Sequence, residues 1–302
     1  MSPPDFQTGY FDAAFNFKMT YSVIKFVALT LCLFTCPSIA AVSHAYVLKG
    51  SHLLRLMTRQ LGQEQGLLID QKHIVYNDRL TQGSIELNET LQYLFPDKFR
   101  SDLRSESTHR IHILSRGTGL TVIDGKVAAK AETKYDRYID VLLHRQAQLL
   151  EERLALLDVD VKHSSLGRFN GRLGFVVGTE YPDESTPQLW IDKETFRPFR
   201  WIVLGRKSVG KGIEFEIRYL NWQKIENIWY PMEIAFFEND ILVRELKVKT
   251  IKTNSKFADG IFSKQQLRSE SQPAFSDDRQ EGLPQAEDEV KKTIEDFKKL
   301  YE

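Results

Sequence analysis

The spacing of hydrophobic and polar positions changes several times along the chain. Over residues 48–61 the apolar side chains recur at helical spacing, which predicts a short amphipathic helix that ends at Gly62. Over residues 83–95 the period falls to two, as expected of a long strand with one wet face. The apolar side of that strand carries Ile85, Leu87, Leu91, Tyr93 and Phe95.

Helical spacing returns over residues 133–157, where leucine and isoleucine recur every three or four positions. Thr133 and Asp136 stand at the spacing of a capping box, so the pattern predicts one long helix that begins there. The charged side chains of Arg145, Glu152 and Arg153 are typical of a helix that lies on the protein with one face exposed.

The two-residue period persists from residue 161 to residue 251, interrupted by short turn signals such as Asn170-Gly171 and Asn239-Asp240. Short connections between alternating strands favour an antiparallel meander over a parallel α/β sheet. The expected fold class is therefore α+β and mainly β. We expect a highly curved antiparallel half-barrel sheet that is covered by one short and one long helix.

An uncharged apolar run over residues 26–34 follows Lys25 and has the length of a signal-peptide core. It is shorter than the ~20 apolar residues that a membrane-spanning helix requires. Small residues then predict cleavage after Ala40 or Ala45, with Met19 as a second candidate start. The sequence therefore predicts an exported protein, with a retained membrane anchor as the alternative.

The two cysteines, Cys32 and Cys36, both lie in this N-terminal stretch. Cleavage would remove them, which excludes a disulfide framework or a cysteine-based zinc site from the folded body. Residues 33–36 resemble the lipobox of bacterial lipoproteins, although Thr35 departs from that pattern. Lipid attachment at Cys36 is therefore a further alternative.

Lysines plus arginines number 41 and acidic residues also number 41, so the formal net charge is zero. This balance argues against a nucleic-acid binder, which usually carries a basic surplus. Residues 270–289 are strongly acidic and predict a flexible linker, and residues 290–301 repeat apolar side chains at helical spacing. We expect a signal segment at 1–45, a folded domain at 46–268, and a linker with an amphipathic helix at 269–302.

No motif for metal, phosphate or nucleophilic chemistry is present in the sequence. His109 and His112 are three positions apart in a predicted strand, so their side chains point to opposite faces and do not share a metal. Glu214 and Glu216 lie on the polar side of another strand, where a solvated face is the simplest interpretation. The chain is accordingly expected to be no enzyme and to use no cofactor.

Several motifs occur in a fixed order. Phe95-Pro-Asp-Lys-Phe-Arg100 precedes a strand, and residues 189–201 predict a hairpin whose turn starts at Asp192 and whose second strand opens at Pro198. Then follow Tyr219-Leu-Asn-Trp222, Trp229-Tyr-Pro-Met232 and Asp259-Gly-Ile-Phe262. Over residues 46–267 this set resembles the outer-membrane lipoprotein-sorting family with the LolA/LolB-like fold, as a divergent member.

The resemblance implies a half-barrel whose apolar inside binds lipoprotein acyl chains or other lipids in the periplasm of a Gram-negative bacterium. It implies neither a cofactor nor covalent chemistry. By analogy, Phe99 and Arg100 match a Phe-Arg step near the helices, where Arg100 would hold the cover closed or meet a lipid headgroup. The candidate ligand-binding residues are Tyr93, Phe99, Arg100, Trp201, Phe215, Ile217, Tyr219, Met232, Ile234 and Phe236.

Two functional hypotheses remain open from the sequence. In the first, the protein is a carrier for a lipid or a lipidated protein, which it holds inside the sheet. In the second, the core is filled, and the protein is a periplasmic sensor or interaction module whose C-terminal tail docks onto an envelope protein. A cell-envelope hydrolase is the weakest alternative, because the sequence shows no nucleophile with a partner base.

Overall fold

A computed structural model describes residues 47–76, 83–106, 108–205, 214–258 and 260–272 of the 302-residue chain. The predicted signal segment with both cysteines and the predicted C-terminal amphipathic helix lie outside these residues. The domain boundaries at residues 45/46 and 268/269 therefore stay predictions.

The described residues form thirteen strands, four α-helices and one 3-10 turn. The helices are α1 (Gly50–Leu61), α2 (Tyr138–Leu143), α3 (Ala147–Ala155) and α4 (Lys264–Ser269), and the 3-10 turn spans Lys134–Asp136. The first six strands are β1 (Gly66–Tyr76), β2 (Ser84–Leu94), β3 (Lys98–Arg104), β4 (His109–Ser115), β5 (Thr118–Ile123) and β6 (Lys126–Val127). The other seven are β7 (Asp160–Phe169), β8 (Arg172–Gly178), β9 (Gln188–Asp192), β10 (Pro198–Leu204), β11 (Phe215–Ile225), β12 (Ile228–Glu238) and β13 (Ile241–Lys252).

All thirteen strands belong to one open, curved sheet with the order β6-β5-β4-β3-β2-β1-β13-β12-β11-β10-β9-β8-β7. Every neighbouring pair is antiparallel, which confirms the predicted fold class. The sheet consists of two sequential meanders. The N-terminal meander is β1–β6, the C-terminal meander is β7–β13, and the pairing of β1 with β13 joins them.

The predicted short helix is α1, which ends before Gly62 with φ +80°. Its buried Leu53, Leu54 and Met57 pack with α2 and α3 against one side of the sheet, here called the helix-covered face. Together α1, the 3-10 turn, α2 and α3 form the helical cover. In the part of the chain that the structure describes, no helix is both long and apolar enough to cross a bilayer.

The predicted long helix over residues 133–157 is wrong. Thr133 and Asp136 do form the predicted capping box, but it opens a single 3-10 turn. Helix α2 ends at Leu143, His144 and Gln146 leave helical geometry, and α3 starts at Ala147. A periodic leucine pattern cannot reveal this break, because the apolar residues on both sides face the same core.

Because of this break, two of the three charged residues that were expected on an exposed helix face are buried. Arg145 and Arg153 are only 5% and 9% exposed, whereas Glu152 is exposed as predicted. The Arg145 Nε donates to the carbonyl of Leu142, and its Nη1 donates to the carbonyl of Leu61 at the end of α1. The extended step between the helices brings this arginine to α1.

The outer face of the sheet, which is the side away from the helical cover, is less exposed to solvent than the sequence predicts. Glu214 and Glu216 are 3% and 2% exposed, and Arg200 forms ion pairs with both. Phe199, which shares sequence parity with Trp201, packs on the outer side with Trp190. A register shift in the pairing of β10 with β9 separates the two, since one extra residue reverses the side to which the chain points.

Candidate functional site on the helix-covered face

Most of the predicted ligand-binding residues meet in one apolar cluster on the helix-covered face. Eight of the ten are at most 1% exposed there: Tyr93, Phe99, Trp201, Phe215, Ile217, Tyr219, Ile234 and Phe236. Cross-strand register explains the arrangement, because residues opposite one another on neighbouring strands point to the same side. Ile217 pairs with both Trp201 and Phe236, and Tyr219 pairs with Ile234.

The other two predicted residues differ. Met232 is half-buried. Arg100 follows the inward-pointing Phe99 in β3 and therefore lies on the outer face. It donates to both carboxylate oxygens of Asp102, at 2.6 and 3.0 Å, and to the carbonyl of Ile261 at 3.1 Å. Arg100 thus ties β3 to the segment before α4 and stands apart from the predicted lining.

The helical cover fills the apolar cluster in this conformation. The Tyr135 ring stands edge-on to Phe215, with centroids 5.2 Å apart, and the Tyr138 ring stands edge-on to Phe236 at 5.9 Å. The Tyr219 hydroxyl donates to the backbone carbonyl of Tyr138 at 3.2 Å. A ligand on this face would therefore replace side chains of the cover rather than enter an open space.

Beside the apolar cluster, the N-terminal meander carries buried polar side chains on the same face. Cross-strand pairs place Gln71 opposite Glu89 and His112 opposite both Ser101 and Thr121. This polar cluster consists of seven side chains of the N-terminal meander, together with Asp136 of the 3-10 turn and Arg244 of β13, all at most 9% exposed. The seven are Gln71, His73, Glu89, Ser101, Arg110, His112 and Thr121.

Glu89 is the acidic centre of the polar cluster. It accepts hydrogen bonds from Gln71 Nε2 at 2.6 Å and from the Ser101 hydroxyl, and its carboxylate lies 3.4 Å from His73 Nδ1. Burial alone would raise the pKa of Glu89, but the hydrogen bonds from His73, Ser101 and Gln71 hold it below its ordinary value. Burial lowers the pKa of His73, so a neutral histidine faces an ionised carboxylate.

The second centre of the polar cluster joins the sheet to the helical cover. Arg110 Nη2 donates to both oxygens of Asp136, at 2.8 Å each, where Asp136 ends the 3-10 turn. Burial opposes the ionised form of Asp136, but Arg110 outweighs it and lowers the pKa. Arg244 lies over the ring of Tyr135, with 3.6 Å between its guanidinium carbon and the ring centroid.

His112 is the other buried histidine of this cluster. The Thr121 hydroxyl donates to the carbonyl of Ala131 at 2.7 Å, so its oxygen accepts from His112 Nδ1 at 2.9 Å. Burial lowers the pKa of His112. His109 points the other way and lies 3.2 Å from Asp102, which confirms that the two histidines occupy opposite faces. Within the described ranges, no three His, Cys, Asp or Glu side chains are grouped as metal ligands.

Arg145 is the most unusual charged group of the helical cover. It bonds to the carbonyls of Leu142, Leu61 and Gly62, and its guanidinium lies 4.9 Å from the centroid of Phe95. Burial lowers its pKa to about 10. Neutral oxygens and a ring therefore hold this buried cation where α1, α2 and α3 meet.

Helices α2 and α3 are further joined by ion pairs. Arg153 of α3 donates to Asp140 of α2 at 2.8 Å and to Glu132 at 2.6 Å, and Arg137 also pairs with Glu132. Burial raises the pKa of Asp140 against the opposing effect of Arg153. The helical cover is thus a set of short segments that are connected through arginine side chains.

Sequence reasoning missed the polar cluster, although a signal was available. Glu89 shares the parity of Leu87 and Leu91, and Gln71 and His73 continue the parity of Leu67 and Ile69. Where a strand has one apolar and one polar side, a polar residue at a position of the apolar side predicts a buried polar group. Strand β1 itself was not assigned from the sequence.

No family model matches the chain, and no curated protein sequence matches it. Among solved structures, it is similar to a LolA superfamily protein from Nitrosomonas europaea, with 10% identity and a TM-score of 0.48. That match covers 73% of this chain and 100% of the other. A Vibrio parahaemolyticus domain, provisionally designated an outer membrane lipoprotein-sorting protein, shares 13% identity at a TM-score of 0.47, over 73% of this chain and 98% of that one.

Structures of the LolA superfamily are among those to which this chain is similar. The complex of MucA and MucB from Pseudomonas aeruginosa also matches, with 14% identity and a TM-score of 0.25, over 78% of this chain and 67% of that one. At such identities and TM-scores, the likeness does not extend to a ligand or a partner.

Proposed function

We propose that this protein is an exported, periplasmic, non-catalytic binding protein or carrier. It takes an apolar ligand, such as the acyl chains of a lipid or a lipoprotein, between the helical cover and the helix-covered face. The observation that carries the proposal is a cover made of short, jointed helices above a continuous aromatic and aliphatic face. The uncharged run at residues 26–34 supports export.

The energetics of such a cover favour the exchange of its apolar side chains for an apolar ligand. An acyl chain that replaces leucine and tyrosine side chains of the cover conserves the buried apolar area on the sheet, which contributes about 25 cal/mol per Å². Water would replace the hydrogen bonds of the cover at Arg145 and Tyr219, so the neutral bond of Tyr219 contributes about 0.5–1.5 kcal/mol against opening and each bond of the charged Arg145 about 1.5–3 kcal/mol. Opening without a ligand is unfavourable, because the aromatic face would be exposed to water.

The filled state of the apolar cluster favours a second candidate. Eight predicted lining residues are at most 1% exposed, as expected of a permanent core. In that case the protein is a sensor or interaction module, and its acidic tail engages an envelope protein.

Ligand capture by the full-length protein distinguishes the two. Native mass spectrometry of detergent-free protein from a bacterial periplasm, followed by titration with palmitate, measures bound and added ligand. Phe215→Ala with Ile217→Ala should weaken palmitate capture on the order of tenfold, since apolar contact area is lost on the helix-covered face.

A matched control removes similar buried bulk from the outer face. Val176→Ala with Phe199→Ala should lower thermal stability comparably and leave palmitate capture unchanged. A protein that carries no lipid and ignores added palmitate would contradict the carrier and favour the filled-core module. If both double variants lost palmitate capture equally, the loss would arise from reduced stability and not from lost ligand contacts.

A further inference from the structure

A basic cavity lies away from the helix-covered face, at the edge of the N-terminal meander where β3 begins and where β4 turns into β5. It has a volume of about 790 Å³ and lies between the start of β3, the β4–β5 turn and residues from 255–258 and 260–265. Four cations line it: Lys98, Arg116, Lys256 and Lys264. We call this cavity the basic groove. Its size is in the range of small-molecule sites.

The four cations of the basic groove have no carboxylate at ion-pair distance among the described residues, and no described lining residue is acidic. Asp259 lies outside the described residues, and among the described acids Glu132 acts on Lys264 from outside the lining. The buried arginines of the polar cluster are different, since Arg110 has a carboxylate partner.

Lys264 shows how the groove is built. Its ammonium donates to the carbonyls of Ser115 and Thr118, at 3.0 Å each, and to the Thr118 hydroxyl. These oxygens are neutral, so they fix the lysine without cancelling its charge. Burial and then the neighbouring Arg116 lower the pKa of Lys264, against the opposing effect of Glu132.

The walls are held in place by hydrogen bonds from outside the groove. Arg100 donates to the carbonyl of Ile261, and the amide of Ser255 donates to the carbonyl of Gly66 at 3.2 Å. Arg116 sits in the left-handed region, with φ +53°, in the tight turn between β4 and β5. The cations therefore stand on fixed backbone, which reduces the entropy that a ligand would have to remove.

One side of the basic groove is apolar. The rings of Phe257 and Phe262 meet edge-on with centroids 5.5 Å apart, and Leu94 lines the same cavity. Clustered cations beside two aromatic rings match a ligand with a compact anionic group and an adjoining apolar part. Free phosphate would leave the rings unused, and an acidic peptide spreads single charges along its length.

We propose that the basic groove binds the phosphate headgroup of an anionic phospholipid at a membrane surface. Lys98, Arg116, Lys256 and Lys264 face the phosphate, and Phe257 and Phe262 contact the glycerol and the first methylenes of the acyl chains. This site goes beyond the proposed carrier function, since it lies outside the helix-covered face and requires no opening of the cover.

The test is co-sedimentation of the full-length protein with vesicles of phosphatidylglycerol and phosphatidylcholine in equal parts. The groove variant is Lys98→Gln with Arg116→Asn and Lys256→Gln, in which asparagine suits the left-handed turn and Lys264 keeps its structural bonds. A basic residue near an anionic membrane contributes a factor of about five, so the triple variant should bind on the order of 100-fold more weakly.

The matched control removes the same number of charges from the C-terminal meander. Lys162, Lys193 and Lys224 are exposed there, and their replacement by glutamine should leave vesicle binding unchanged. Lys98→Arg with Lys256→Arg should also retain binding. Thermal unfolding and palmitate capture should be the same in all variants, which separates this proposal from the carrier proposal.

Three results would overturn the proposal. Equal losses in groove and control variants would indicate attraction to the whole protein surface rather than to the groove. Equal binding to pure phosphatidylcholine would exclude recognition of the anionic headgroup. Displacement of the protein from vesicles by inorganic phosphate or a glutamate-rich peptide, at the concentration of the lipid phosphate, would assign the groove to that ligand instead.

Discussion

The two meanders contribute to the same buried face in different ways. The C-terminal meander supplies Trp201, Phe215 and Phe236, whereas the N-terminal meander adds the polar cluster around Glu89 and Arg110. Both sets are almost fully buried, and both obey the same two-residue alternation. Strand alternation therefore determines on which face of the sheet a side chain lies, and it does not determine whether that side chain is apolar.

The difference has energetic consequences. Burial of aromatic rings stabilises the fold directly, at about 25 cal/mol per Å². A buried ion pair such as Arg110 with Asp136 contributes little net stability, because the loss of hydration offsets the attraction. The pair does fix position, because it holds the 3-10 turn of the cover on β4. The apolar cluster, to which Tyr93 and Phe99 of the N-terminal meander also belong, thus supplies cohesion, and the polar cluster supplies alignment of the cover.

The largest effect is expected from breaking this ion pair. Arg110→Ala leaves Asp136 buried without its main partner and should lower the free energy of unfolding by about 3–5 kcal/mol. Urea denaturation measures the change. Arg110→Met with Asp136→Asn, which removes both charges and keeps an acceptor for the capping box of Thr133, should recover most of it. A loss under about 1 kcal/mol in Arg110→Ala would show that the polar cluster does not align the cover.

The next effect is a dependence of stability on pH that arises in the N-terminal meander. Burial lowers the folded-state pKa of His73 and His112, so protons bind more readily to the unfolded chain. Stability is then complete above a pH of about 6.5, the ordinary pKa of histidine. It falls as the pH drops towards the lower folded values, by at most about 1.4 kcal/mol per pH unit for each histidine.

Thermal unfolding between pH 7 and pH 5 measures this dependence. His73→Gln with His112→Gln should remove it, whereas the same exchange at exposed His163 should not. Glu89 and Asp136, whose pKa values are lowered, add a separate loss that begins below about pH 4. An unchanged slope in the double histidine variant would contradict the buried neutral histidines.

The smallest effect is expected in the C-terminal meander. Ile234→Val removes one methylene from a fully buried site and should cost about 0.5–1.5 kcal/mol, with no pH dependence. The same denaturation experiment, repeated at two pH values, checks both points. A loss comparable to that of Arg110→Ala would remove the contrast between the two meanders.

Sequence reasoning predicted the sheet well where a strand has one consistently apolar side. Leu91 and Tyr93 of β2 and Ile217 and Tyr219 of β11 lie on the face that their parity predicts. Phe199 does not, because a register shift in β10 reverses its side. Such a shift depends on pairing with β9, which a local pattern does not contain.

The candidate site was predicted in its apolar half and missed in its polar half. Glu89 interrupts an otherwise apolar parity, and its partners His73 and Ser101 come from other strands. Arg145 was expected on an exposed helix face, but it fills the break between α2 and α3 and reaches α1. The burial of Glu89 and of Arg145 depends on partners that are distant along the chain, whereas the periodicity of a sequence reflects only near neighbours.

The pairing of β1 with β13 has a consequence for the rate of folding. Within each meander the strands pair with their sequence neighbours, so these contacts close short loops. The junction is different, since the hydroxyl of Tyr76 bonds to Glu245, 169 positions later. Closing a loop of that length costs on the order of 5 kcal/mol of chain entropy. We therefore expect each meander to form early, and the union of β1 with β13 to limit the folding rate.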